Sequence, residues 1–274
     1  MKQLDLKIPD TWNRLSRKQL LYVCRLYILN LTELKFKTWV FIKFTGIRAL
    51  PHKIIAGRLY YFFRKDKFRF SLTPDELLWF LHSLDYLISE SKLTLNHFPV
   101  IRILWKRFFG PSNSCYNISV LEFLLAEQMI DAFNRTHQEK YLRLLCAILY
   151  RPQCKHYRPN SPDYNGDRRE PFNDFTFKRR EYWFRFLSKP KLHAVYIFFA
   201  GCRNALIEKH PYLFSNSGIS SEPVNYADAL KNVLISLNQG DITKNKEIQQ
   251  TQVWEAFGQL NEMAKQIKRI KKIN

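Results

Sequence analysis

The sequence predicts a mainly α protein: a helical body with a small β-hairpin and long irregular loops. Three observations point there. Apolar residues recur at three- and four-residue spacing along most of the chain, and several runs open on Ser or Thr followed three residues later by Glu or Gln. Glycine is scarce, at 8 of 274 residues, which disfavours phosphate-cradling glycine loops and doubly wound nucleotide folds. One stretch, residues 59–72, breaks the helical pattern and sets two short aromatic runs on either side of a charged turn. With 46% hydrophobic residues the chain has material for a sizeable core. It is expected as a single helical domain over 1–274, with a sub-division, if any, into 1–115 and 116–274.

In chain order, Ser16 and Gln19 form a capping box before a helix whose Leu20, Val23, Cys24 and Tyr27 share one face, with Trp12 packing just upstream. Thr32 starts a second helix through Phe44, with Leu34, Trp39, Phe41 and Ile42 as apolar surface and Gly46 as terminator. Leu59–Leu72 then reads as a hairpin turning at Arg64, Lys65, Asp66 and Lys67. Thr73, Pro74, Asp75 and Glu76 combine a cap, a first-turn proline and acids at the positive helix end, and this helix is expected to reach about Ser89. Breakers at 96–99 and 110–113 flank VIRILWKRFF, a short strand or helix.

The centre of the chain is expected at 119–151. Ser119 with Glu122 and Thr136 with Glu139 open two helices as capping boxes. The first carries Leu121, Leu124, Leu125, Met129 and Phe133 at helical spacing, while the second is apolar on nearly every side and so should be enclosed. Pro152 ends it by removing a backbone donor and pushing Arg151 out of helical geometry. A long irregular segment, 151–175, follows; loops of that length are uncommon unless functional or mobile. Helical structure resumes near Thr176, breaks at 188–190 and continues to Leu206. A further helix is expected over 226–237, capped by Asn225 and closed by Gly240. The last begins near Thr251 and carries Val253, Trp254, Phe257, Leu260, Met263, Ala264 and Ile267 at helical spacing.

A formal charge of +20 and a pI near 9.8 imply attraction to polyanions. Five scattered cysteines, partly inside apolar runs, do not form a secreted disulfide framework, so a cytoplasmic location is expected. The start lacks a signal-peptide core, and the longest uncharged apolar run, Leu192–Gly201, is too short to span a bilayer, so no membrane partner is expected.

Basic and aromatic residues interleave at Arg58–Phe70, Leu104–Phe109 and Phe177–Leu187. Cations neutralise phosphates and aromatic faces stack on exposed bases, which suits single-stranded nucleic acid. The contact set on that reading is Arg64, Lys65, Lys67, Arg69, Arg179, Arg180 and Arg185. An amphipathic element with aromatics turned inward gives the same string without a ligand. Cys154 and His156 are separated by one residue, not the two to four usual for a zinc pair. Asp163, Asp167, Glu170 and Asp174 read either as magnesium ligands of a nuclease or, more cheaply, as salt-bridged loop acids. Walker-type, G-x-S-x-G and H-E-x-x-H motifs are absent, and no catalytic residue, metal ligand or cofactor is assigned.

Several segments together resemble proteins of tailed-phage and prophage modules: IPDTWNRLSRKQLLYVCRLYI, SLTPDELLWFLHSLDYLI, NHFPVI with FFGPSN, NISVLEFLLAEQMIDAF, YLRLLCAILYRP and TQVWEAFGQLNEMA. Those are small cytoplasmic proteins of tail morphogenesis, similar to tail-assembly chaperones. The resemblance implies a non-enzymatic assembly or scaffolding role in the host cell, holding an aggregation-prone helical partner protein such as a tape-measure chain. Trp12, Leu20, Trp79 and Trp254 would then be core or partner-facing anchors. The strong positive charge departs from that pattern and keeps a basic nucleic-acid-binding accessory role as the alternative.

Overall fold

Three helix starts are closed by reciprocal capping boxes, Ser16 with Gln19, Thr73 with Glu76 and Ser119 with Glu122. In each, the hydroxyl accepts from the third helical amide and the longer side chain accepts from the cap amide, satisfying two otherwise orphaned donors. The computed structural model describes residues 6–155, 160, 166–214 and 245–273. Among these residues the chain forms ten α-helices and six short strands, so it is mainly α with a small β part. No helix among them is long and apolar enough to cross a membrane.

The chain divides into two compact units, Met1–Lys92 and Leu93–Asn274. The break falls after Lys92 and not near residue 115, because the strands at 100–109 are bonded to the segment after the central helix pair. Phe109 N donates to Arg151 O at 2.7 Å, and Arg151 N returns a bond to Phe109 O at 3.0 Å.

The first unit contains α1 (Arg17–Ile28), α2 (Glu33–Thr45), β1 (Arg48–Ala49), β2 (Lys53–Ile55), β3 (Arg58–Lys65), β4 (Phe68–Leu72) and α3 (Pro74–His82). Gly46, at φ 68°, ends α2 in the left-handed conformation that a residue without Cβ adopts freely. β3 pairs antiparallel with each of the other three strands. Leu20, Val23, Cys24, Val40, Phe41, Phe63 and Leu81 are buried in this unit. Trp12 is buried edge-on to Tyr86 and donates Nε1–H to its carbonyl at 2.9 Å. α3 stops at His82, short of the expected Ser89: Ser83 N and Oγ both bond to Phe80 O, tightening the last turn, and a 3-10 turn at Asp85–Leu87 follows.

The second unit contains β5 (Val100–Ile103), β6 (Lys106–Phe109), α4 (Val120–Thr136), α5 (Glu139–Leu149), α6 (Phe177–Phe184), α7 (Lys189–Lys209), α8 (Pro211–Phe214), α9 (Asn245–Gln250) and α10 (Val253–Ile273). α5 is the enclosed helix, packed by α4, α6 and α7, with Leu142, Leu145, Cys146, Ala147, Ile148 and Leu149 buried. Gly201 lets α7 pass the chain at Leu93, where a Cβ would stand 2.3 Å from Leu93 O. α10 buries Val253, Ala256, Phe257 and Leu260, and Trp254 donates Nε1–H to Ser114 O at 2.9 Å.

Two expectations for α4 and α5 are corrected. The Thr136–Glu139 capping box does not form: α4 continues through Thr136, whose hydroxyl donates to Ala132 O, and ends at a left-handed His137. Gln138 then occupies the cap of α5 with no side-chain bond. The stripe of Leu121, Leu124, Leu125, Met129 and Phe133 is only half-buried. The buried face is Val120, Glu122, Phe123, Ala126, Glu127 and Ile130, and it carries two carboxylates. The helix expected over 226–237, with Asn225 and Gly240, lies outside the described residues.

Candidate nucleic-acid interface

VIRILWKRFF folds as an antiparallel hairpin, turning at Leu104, which takes φ 51°, and Trp105. Side chains alternate across a strand, so the register Val100↔Phe109 and Arg102↔Arg107 puts those four residues on one face. Ile101, Ile103 and Phe108 take the other face and are buried. Arg102 and Arg107 are both exposed and directly opposed, an arrangement of like charges that costs stability in a ladder. Beside them the Arg168 guanidinium lies 4.1 Å from the Phe109 ring centroid and donates to Gln153 Oε1 at 3.4 Å. Val100, Arg102, Arg107, Phe109, Gln153 and Arg168 together line a groove of ≈ 440 Å³. No carboxylate is among those lining residues.

A buried charge network adjoins the groove residues Gln153 and Arg168, joined to them through the Gln153–Arg169 bridge. Arg151 follows α5 and places Nη1 2.9 Å from Glu122 Oε1 and Nη2 3.3 Å from Asp167 Oδ2. Arg169 grips Asp167 through Nε, 2.9 Å from both carboxylate oxygens, and Nη2, 2.7 Å from Oδ2, and its backbone N–H donates to Oδ1 at 3.0 Å. Its remaining donors reach Leu149 O at 2.9 Å and Asn117 O at 2.8 Å. Arg180 donates to Ala147 O at 2.8 Å and to Glu170 Oε1 at 2.7 Å. Two orphan carbonyls at the α5 C-terminus are thus capped by guanidinium groups, where positive charge also suits the helix dipole. Burial works against the Arg169 charge, but Glu122 and Asp167 outweigh it and hold the group above its ordinary range. At Arg151 burial wins, and the charged form is held less firmly than usual. Arg169 is buried, whereas the preceding residue, Arg168, lines the groove.

On the other side of the hairpin, Phe108 packs against Phe184 with ring centroids 5.1 Å apart, and this contact docks α6 beside the turn. Trp183 then meets Trp105 edge-to-face at 5.9 Å, and Lys106 Nζ sits 3.9 Å from the Trp183 centroid. Edge-to-face contacts continue from Trp183 to Tyr182 at 6.3 Å and from Tyr182 to Phe186 at 6.0 Å, with the Arg185 guanidinium 5.4 Å from Tyr182. Trp105 is 77% exposed, Tyr182 54% and Phe186 56%. Two of the three basic-aromatic stretches of the sequence therefore form one continuous surface.

The sequence-derived contact set is scattered by comparison. Arg64 and Arg69 form an opposed, exposed pair on the β3–β4 hairpin of the first unit, with Lys67 exposed at its turn and Lys65 half-buried. In the second unit Arg179 is exposed and Arg185 pairs with Glu181 at 3.4 Å, whereas Arg180 is turned into the core by the contacts given above. Arg102, Arg107 and Arg168 were all outside that set; their signal is the alternation in VIRI and KRFF and the RR pair at 168–169, legible only once the register is known.

Asp167 and Glu170 are salt-bridged, Asp174 is exposed, and Asp163 and His156 lie outside the described residues. No group of three or more His, Cys, Asp or Glu that could hold a metal ion occurs among the described residues. Of the four proposed anchors, Trp12 and Leu20 are buried, Trp254 is half-buried and Trp79 is 71% exposed. No protein-family model, curated protein or solved structure matches the chain.

Proposed function

We propose that the chain is a basic nucleic-acid-binding accessory protein that acts by binding and not by catalysis. The observation that carries this reading is the groove that Arg102, Arg107 and Arg168 line together, with no carboxylate among the described residues of its lining. A ladder that sets arginine opposite arginine forgoes stability, and an anion between the two guanidinium groups removes the repulsion. The net charge of +20 supplies long-range attraction to such a polymer. Titration of the full chain against labelled DNA and RNA at low salt tests the reading: saturable binding that weakens steeply with salt supports it, and a flat titration rejects it.

A second reading, a partner-binding role in phage or prophage particle assembly, is favoured by apolar residues on α2 and α3. Leu34 is 56% exposed, Trp39 55%, Leu78 46% and Trp79 71%. Exposed apolar surface of this kind suits a protein partner. Recovery of no partner on gentle co-purification from cells that also express the neighbouring genes would count against it. All five cysteines are free thiols, and four are buried, which fits action in a reducing cytoplasm.

A further inference from the structure

We infer that the surface running from the β5–β6 turn along α6 is a binding site for single-stranded nucleic acid, with bases stacked on Trp105, Tyr182 and Phe186. The inference rests on the nucleic-acid reading above and specifies the form of the polymer. Three rings of one short segment, Tyr182, Trp183 and Phe186, continue a series of edge-to-face contacts that Trp105 begins, with neighbouring centroids 5.9, 6.3 and 6.0 Å apart. Trp105, Tyr182 and Phe186 are each more than half exposed and are joined through ring contacts, so the surface is suited to being covered. Charge complementarity identifies the cover: Lys106 and Arg185 sit against Trp183 and Tyr182, placing cations where a sugar-phosphate chain would run beside stacked bases. In a duplex the base faces are occupied by their neighbours and cannot reach protruding rings, whereas an unpaired strand offers every face. The arginine groove lies on the other face of the same hairpin, so the strand reaches it by passing around Trp105 at the turn.

The test uses the full chain and four probes: labelled oligothymidylate, a duplex of the same length, an abasic strand of the same length, and vesicles of phosphatidylserine with phosphatidylcholine. Trp105→Ala and Tyr182→Ala are made alongside Arg102→Ala/Arg107→Ala, with thermal unfolding recorded for each; the two ring positions are exposed, so these variants are expected to fold. Oligothymidylate is expected to bind tighter than the duplex or the abasic strand. Each ring variant should lose about five- to a hundredfold on oligothymidylate, with little change on the duplex, and Trp105→Phe should recover most of the loss. Equal affinity for the three nucleic-acid probes, unchanged in the ring variants but weakened in the arginine variant, overturns this inference and leaves the nucleic-acid reading standing. Binding to none of the three removes both. Vesicle binding lost in the ring variants, with oligothymidylate binding untouched, assigns the rings to a lipid surface and also overturns it.

Discussion

Arg107 stands directly across the β5–β6 ladder from Arg102, and the pair opens onto the groove. Relieving the repulsion should reveal what the arrangement costs. Arg107→Glu is expected to stabilise the fold by about 0.2–1 kcal/mol, as a cross-strand pair of opposite charge, while weakening nucleic-acid binding at least tenfold. Urea denaturation and a binding titration check both halves. A variant that loses stability and keeps binding would mean that the pair is structural.

Glu122 serves two purposes at once, closing the capping box of α4 and receiving Arg151 in the core. Its removal leaves a guanidinium buried without its nearest carboxylate. Glu122→Ala is expected to cost about 3–5 kcal/mol in urea denaturation. A loss below about 1 kcal/mol would contradict the view that this network holds the segment after α5 against the core.

How much of this could be read in advance depended on distance along the chain. Capping boxes are local, so Ser16, Thr73 and Ser119 marked helix starts that the structure repeats. The same pattern at Thr136 failed because α4 kept its own hydrogen bonding through that residue, a choice made by packing and not by the four residues themselves. The two strands expected over 59–72 are β3 and β4, and 100–109 forms strands because its alternation sets Ile101, Ile103 and Phe108 on a buried face. What escaped notice was orientation. Arg179 and Arg180 look alike in sequence, and only the docking of α6 on α5 turns one outward and the other to Ala147. Likewise, Trp105 and Trp183 meet through the Phe108–Phe184 contact, which joins residues far apart in the chain.

Glu127 gives the fold a dependence on pH. Its carboxylate lies 3.2 Å from Arg203 Nε and is almost fully buried. Burial pushes its pKa from 4.5 up to about 7, against the pull of Arg203 and with a small push from Asp131. The native state therefore binds this proton more tightly than the unfolded chain does. The resulting stability is present below about pH 4.5 and fades as pH rises through 7, a change on the order of 3 kcal/mol. Glu127→Gln should remove that decline: the variant is expected to gain on the parent protein at pH 8 and to match it near pH 4.5. Equal pH profiles for the two proteins would contradict the assignment.

Gly201 offers a check on packing in the second unit. In an open helix interior, Gly→Ala stabilises by about 1 kcal/mol. Here the added Cβ would meet the Leu93 backbone at 2.3–2.7 Å. Gly201→Ala is therefore expected to destabilise by about 1–3 kcal/mol, the cost of forcing packed backbones apart. A gain in melting temperature would show that α7 and Leu93 are not held so closely.

The salt dependence of oligonucleotide binding, compared between the parent protein and Arg102→Ala/Arg107→Ala, bears most directly on the groove. Each phosphate contact to a single strand contributes about 0.7 to the slope of log affinity against log salt. Loss of both arginines should make the slope shallower by about 1.4, along with weaker binding at low salt. Two parallel lines, with the slope unchanged, would show that the opposed arginines touch no phosphate.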